Sequence, residues 1–335
     1  MSNLLMTMAL EIEAPTVPEY AAQFMPSEPE NLVQGLLELM RDAILYFRPN
    51  FREAMSVCIL IIGAVMVLSV LRSFPGTPLK VLNLTGTVMI SLILLTSANS
   101  MINMAANSIT EISEYGKLLL PVMTTAMAAQ GSVTASAALY TATALFGSIL
   151  SNMISELLIP MLYFYLAMAA AKSAVGENLL KKLSDQLKGI MTWALKTLLY
   201  LYTGFITITG VISGTTDAAA LKAAKLTISG AVPVVGGILS DASEAVLVSA
   251  ATLKNAAGIY GMFGILAIWI GPFIQIGVQY LILKTTGSVC GVFGGKEITE
   301  LVSDFSSAMG LLLAMTGAVC LTLLIGVVCF MKGAV

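Results

Sequence analysis

The chain has 335 residues, 57% hydrophobic and 11% charged, whereas a soluble domain carries about 45–50% apolar and about 25% charged residues; too few charges are present to coat a water-soluble surface. The net charge of −2, with no basic tail or stripe, excludes nucleic acid as a partner. Histidine is absent, which removes the commonest general base and the commonest zinc and iron ligand, so no enzyme of the Ser-His-Asp type, no metal and no other cofactor is expected.

Residues 1–53 read as an extramembrane acidic arm. Pro15, Pro18, Pro26 and Pro29, set among glutamates, predict a flexible stretch over 1–30. Met1 to Leu10 lacks a basic leader and is short for a secretory apolar core, so either no signal is cleaved or one has already been removed. Over 31–48, Leu32, Val33, Leu36, Met40, Ile44 and Phe47 follow helical spacing, with Gln34, Glu38, Arg41 and Asp42 on the other side. This amphipathic helix lies on a membrane surface, docks a partner or packs on the protein's own body.

Charge then disappears from long runs: none occurs in 81–110, 118–155, 157–171, 255–283 or 305–331. A helix needs about 20 such residues to cross about 30 Å of hydrocarbon. The spans expected are 54–71, 81–98, 157–173, 190–212, 262–283 and 311–331. The stretches 118–151 and 231–258 are rich in Ala, Gly, Ser and Thr, which let helices approach closely in lipid, and both are expected to fold as helical hairpins within the bundle. Cys58, Cys290, Cys320 and Cys329 form no C-x-x-C pair and read as packing residues.

The membrane region repeats in order. Pro121 and Pro233, Pro160 and Pro272, and Lys172 and Lys284 are each 112 residues apart. Leu179, Leu180, Leu183 and Leu187 make an apolar stripe matched by Ile298, Leu301, Val302, Phe305 and Met309. The dipeptides Ser184-Asp185 and Ser303-Asp304 are offset by 119, as an insertion of seven residues would produce. The expected fold is therefore an all-α polytopic transmembrane bundle with a tandem internal repeat. Its parts are two amino-terminal membrane helices in 54–117, a first repeat in 118–212, a connecting helix in 213–229 and a second repeat in 230–335. Four lysines against two acids in 172–188 place that segment in the cytoplasm, with the Arg72–Lys80 loop, while the arm and Glu111 and Glu114 fall outside. The second unit gives the same sense, so the repeats run parallel.

Function concentrates in 209–250. Thr216 or Asp217 caps a helix that ends near Gly230. Lys222 and Lys225 share one face, as do Asp241 and Glu244. Charges at membrane depth are costly and mark polar pathways, so Asp217, Lys222, Lys225, Asp241 and Glu244 are a candidate polar pathway; the other reading is a solvated loop for the first three. Pro121, Pro160, Pro233, Gly236, Gly237 and Pro272 are candidate breaks or hinges. Gln275 and Gln279 either line a cavity or bond between helices. Gly291, Gly294 and Gly295 before Lys296 lack the spacing of a phosphate-binding loop.

The run SGTTDAAALKAAKLTISGAVPVVGGILSDASEAVL, within Gly210 to Ser249, resembles the core of the stage III sporulation protein AE family, and the similarity extends over about 31–331. The resemblance implies a multi-pass membrane protein of endospore-forming bacteria. It implies synthesis in the mother cell and action in the membrane around the forespore, with sibling membrane proteins and a forespore partner, in a channel-like or secretion-like complex. It carries over no catalytic residues. Members tend to begin with a clear signal sequence, which is not seen here. Three functions from different classes follow: a component of that complex, alone or as a homo-oligomer; an independent secondary transporter of a small solute; or a scaffold that moves nothing.

Overall fold

The computed structural model describes residues 16–26, 32–74, 79–175, 178–231, 236–293 and 295–332; over 209–253 it describes the backbone alone. The elements are α1 (Glu19–Ala22), α2 (Leu32–Arg72), α3 (Leu79–Ala129), α4 (Val133–Met153), a π turn (Ile154–Leu158), α5 (Ile159–Val175), α6 (Asn178–Ala231), α7 (Gly236–Phe293) and α8 (Lys296–Lys332). The described residues hold no strand. A helix satisfies its backbone amides internally, which hydrocarbon demands. Among the described residues, five helical stretches are long and apolar enough to cross a membrane: Ala54–Arg72, Val81–Ala129, Val133–Val175, Lys254–Val292 and Lys296–Lys332. The protein is a polytopic helical membrane bundle. The expected span 190–212 lies on α6, where Trp193, Lys196, Tyr200 and Tyr202 dilute its apolar character; the side chains of 209–212 lie outside the described residues, and the span is not among the five.

Most of the helices exceed one crossing. At 1.5 Å per residue, α3 is roughly 75 Å long and α7 roughly 85 Å, so both project beyond the hydrocarbon. Helix α3 runs through Pro121 and α7 through Pro272 without ending. The expected breaks there do not occur, because neighbouring turns absorb a single lost amide. Pro160 differs. It follows the five-residue π turn, whose wider ring makes room where a proline nitrogen cannot bond back.

Four further expectations change shape. In 118–151 the hairpin's first arm is the end of α3 and its second is α4; the chain reverses at Gly131, whose φ of 90° suits glycine. Segment 231–258 is not a hairpin: α7 starts at Gly236 and continues to Phe293. The connecting helix 213–229 is part of α6, so no helix begins at Thr216 or Asp217. The arm is not loose throughout. Ala21 and Phe24 are buried, and Phe24 meets Tyr46 edge-on at 5.2 Å. Tyr20 Oη donates to Glu111 Oε2; burial first, then that carboxylate, pushes the Tyr20 hydroxyl above its ordinary range.

The amphipathic segment is the upper half of α2. It packs on α7 through Leu39, Ala43 and Gly35, the last facing Phe263. Val33, Met40, Ile44 and Phe47 of the expected apolar stripe face outward instead.

Helix α7 is central. Gly258, Gly261 and Gly264, three apart, bring it against Met331 of α8 and Leu119 and Tyr115 of α3. A Cβ on Gly264 would stand 2.2 Å from Tyr115 Oη. Helices α6 and α8 run in the same direction: Lys181 meets Glu300, Lys188 meets Ser307 and Tyr202 donates to the Thr322 carbonyl. Arg72 lies beside Gly295. The two segments assigned to the cytoplasm thus meet residues 295–304 of the second unit at one end of the bundle.

Gly264→Val should lower the thermal midpoint in detergent, a destabilisation of about 1–3 kcal/mol from overpacking. Adding Tyr115→Ala should restore part of the loss. Equal midpoints for Gly264→Val and the parent would refute the close approach.

Candidate functional site

Two polar constellations lie among the apolar helices. The first is a cleft of about 470 Å³ between α2, α3 and α7. Gln275 and Gln279 are four apart and so share one face of α7. Gln279 is 4% exposed and its amide donates to Ser97 Oγ of α3 at 3.0 Å. The Gln275 amide donates to Tyr46 Oη of α2. Both expectations for this pair are met together, since the two amides bond between helices and also line the cavity. Thr96 and Ser100 complete the polar wall, with Val57 and Leu60 opposite. Thr96 Oγ1 donates to the Leu92 carbonyl of its own helix at 3.0 Å, which leaves its lone pairs facing the cleft. None of the described lining residues titrates. The cleft suits water or a neutral polar group and cannot relay a proton through its side chains.

The second constellation ties α5, α6 and α8 together. Lys172, 7% exposed, reaches Asp304 Oδ2 at 2.5 Å and Glu300 Oε2 at 3.8 Å. Tyr165 Oη donates to Asp304 Oδ1 at 3.4 Å. Lys181 meets Glu300 Oε1 at 3.4 Å and Lys188 donates to Ser307 Oγ at 3.0 Å. A buried ammonium is tolerable only with a counter-charge, and Asp304 provides it. Lys172 and Asp304 are visible in the sequence as repeat markers, but not as partners. The available signal was chemical: a lysine at the end of an apolar span calls for a nearby counter-charge.

Of the residues proposed for a polar pathway, Asp217, Lys222 and Lys225 fall on α6, and Asp241 and Glu244 on the first turns of α7. Their side chains lie outside the described residues, as does Pro233. Gly236 and Gly237 open α7. Among the described residues no group of His, Cys, Asp and Glu is placed to hold a metal.

Lys172→Met or Asp304→Asn alone should destabilise the bundle by about 3–5 kcal/mol, because each leaves a buried polar partner unmatched. The pair Lys172→Met with Asp304→Leu should recover most of that loss. A thermal-unfolding double-mutant cycle in detergent reads this directly, and additive losses would refute the pairing.

Comparison with known proteins adds the family. A family profile described as stage III sporulation protein AE matches residues 19–333. A curated relative of the same description, from Bacillus subtilis (strain 168), is 22% identical over 215 residues, covering 64% of this chain and 54% of the relative. The chain thus spans about half the length of that relative. No solved structure matches. Because the profile runs almost from end to end of a multi-pass helical bundle, the chain belongs to the stage III sporulation protein AE family.

Proposed function

We propose that this protein is a membrane-embedded component of a channel-like or secretion-like complex between mother cell and forespore. It would sit in the mother-cell-derived membrane around the forespore, with other membrane proteins of that complex as partners, and support forespore development. The cleft between α2, α3 and α7 would contribute to the conduit.

One observation supports the reading above others. Thr96, Ser97, Ser100, Gln275 and Gln279 gather their hydroxyls and amides within two apolar spans. Scattered polar groups at that depth cost free energy, and gathering them into a cavity is how a membrane protein makes a passage for water or polar cargo. The cleft holds serine and threonine hydroxyls but no general base to activate them, so passage suits it better than catalysis, and any energy source lies in a partner or an ion gradient. We also read the two membrane halves as a parallel tandem duplication. The contacts Lys181–Glu300 and Lys188–Ser307 join residues 119 apart, the offset the duplication would make equivalent.

Gln275→Leu combined with Gln279→Leu tests the conduit, with Asp241→Asn and Glu244→Gln as a second pair. In sporulating cells each pair should cut spore yield and late forespore transcription by at least about tenfold, while protein level and co-purification with partners persist. Normal spore yield with intact assembly would overturn the conduit and favour a scaffold. Normal activity with no partner recovered from sporulating cells would favour an independent transporter.

A further inference from the structure

A second cavity, of about 100 Å³, lies between α3, α4 and α8 and shares no lining residue with the cleft. Two of its lining residues are glycines. A Cβ on Gly147 of α4 would meet nothing within 4 Å, and Gly116 of α3 rests on Leu323 of α8. The apolar lining is buried: Ile112, Leu120, Val319 and Leu323 form the floor. The polar lining is not. Lys117, Tyr140 and Ser148 are exposed and Ser113 is half-buried, so these four form the rim.

Hydrogen bonding separates floor from rim as well. The two hydroxyls at the floor are spent inside the protein: Thr143 bonds Tyr202 Oη at 3.3 Å, and Thr322 Oγ1 donates to the Ala318 carbonyl at 2.8 Å. Nearby hydroxyls bond back to the carbonyl four residues earlier, as Thr110 and Thr141 do. The hydroxyls of Ser113, Tyr140 and Ser148 have no partner among the described residues. Nor does Lys117 form an ion pair among them; Glu114, one turn before it, neither meets it nor lines the cavity. One cation and three uncommitted hydroxyls thus border an apolar floor.

That combination asks for a ligand with an anionic head and an apolar body. Phosphate oxygens accept from ammonium and hydroxyl alike. All three walls belong to stretches long enough to cross a membrane, so the amphiphile at hand is lipid, and basic pockets between spanning helices hold anionic headgroups. A cavity of about 150 Å³ holds a benzene ring, so this smaller one takes part of one acyl chain. We propose that it binds one anionic phospholipid, with the phosphate on Lys117 and the rim hydroxyls and a stretch of chain on the floor. Binding there does not depend on the conduit, and each can fail without the other.

Full-length protein extracted from vesicles of equal parts phosphatidylglycerol and phosphatidylcholine, read by native mass spectrometry, tests this. The parent should retain one phosphatidylglycerol and little phosphatidylcholine. Lys117→Gln should lower that retention about fivefold, the worth of one lysine at an anionic lipid. Gly147→Leu fills the cavity and should lower it at least about tenfold, the equivalent of about two buried methylenes. It replaces a helix-weakening glycine where space is open, so the bundle should keep its helicity by circular dichroism. Gly204→Leu on α6, where a Cβ also meets nothing within 4 Å, should retain the lipid as the parent does. Equal retention of the two lipids by the parent overturns the proposal. So does parent-level retention by Lys117→Gln or by folded Gly147→Leu. Displacement of the lipid by millimolar inorganic phosphate would assign the rim to a free anion and overturn it too.

Discussion

An unpaired backbone amide in hydrocarbon costs several kcal/mol, and that constraint shapes this bundle more than any side-chain contact. It forces every apolar run into helix and accounts for helices that continue past prolines. Pro121 and Pro272 each remove one donor, and the surrounding turns hold the helix regardless. Only at Pro160 does the backbone widen, into the π turn before it. The glycines Gly258, Gly261 and Gly264 then let α7 approach α3 and α8 closely enough for dispersion to hold them, since lipid offers no hydrophobic drive between helices.

The same scarcity governs the side chains. Three pairs of polar groups find one another away from water: Gln279 with Ser97, Gln275 with Tyr46, Lys172 with Asp304. The first two line a cavity and the third closes a charged end where α5, α6 and α8 meet. Together they divide the molecule into a neutral polar middle and a charged end, an arrangement that fits a component handling polar material in a membrane.

Much of the fold was legible. Uncharged runs gave five of the six expected spans, because hydrophobic length is a one-dimensional property. What composition could not show was continuity. A helix start was expected at Thr216 and a hairpin within 231–258, whereas α6 and α7 run on through polar residues as rods of 54 and 58 residues. Small and polar residues do not break a helix when tertiary packing holds it. The site was half legible. Gln275 and Gln279 stood out as a pair on one face, but their partners Ser97 and Tyr46 lie 182 and 229 residues away, beyond any local pattern. The apolar stripe of α2 was found but the face that packs was not: Val33, Met40, Ile44 and Phe47 are exposed, while the buried residues are Gly35, Leu39 and Ala43, two of them too small to mark a face.

The account stands on the exposed apolar side chains of the helices facing hydrocarbon. Spin labels at Val67, Leu92, Phe164, Leu281 and Leu321, all exposed, in protein reconstituted into lipid bilayers, measure this most directly. High collision rates with oxygen and low rates with a water-soluble nickel chelate at all five positions are the predicted result. Ready access of the nickel chelate to these positions would contradict it.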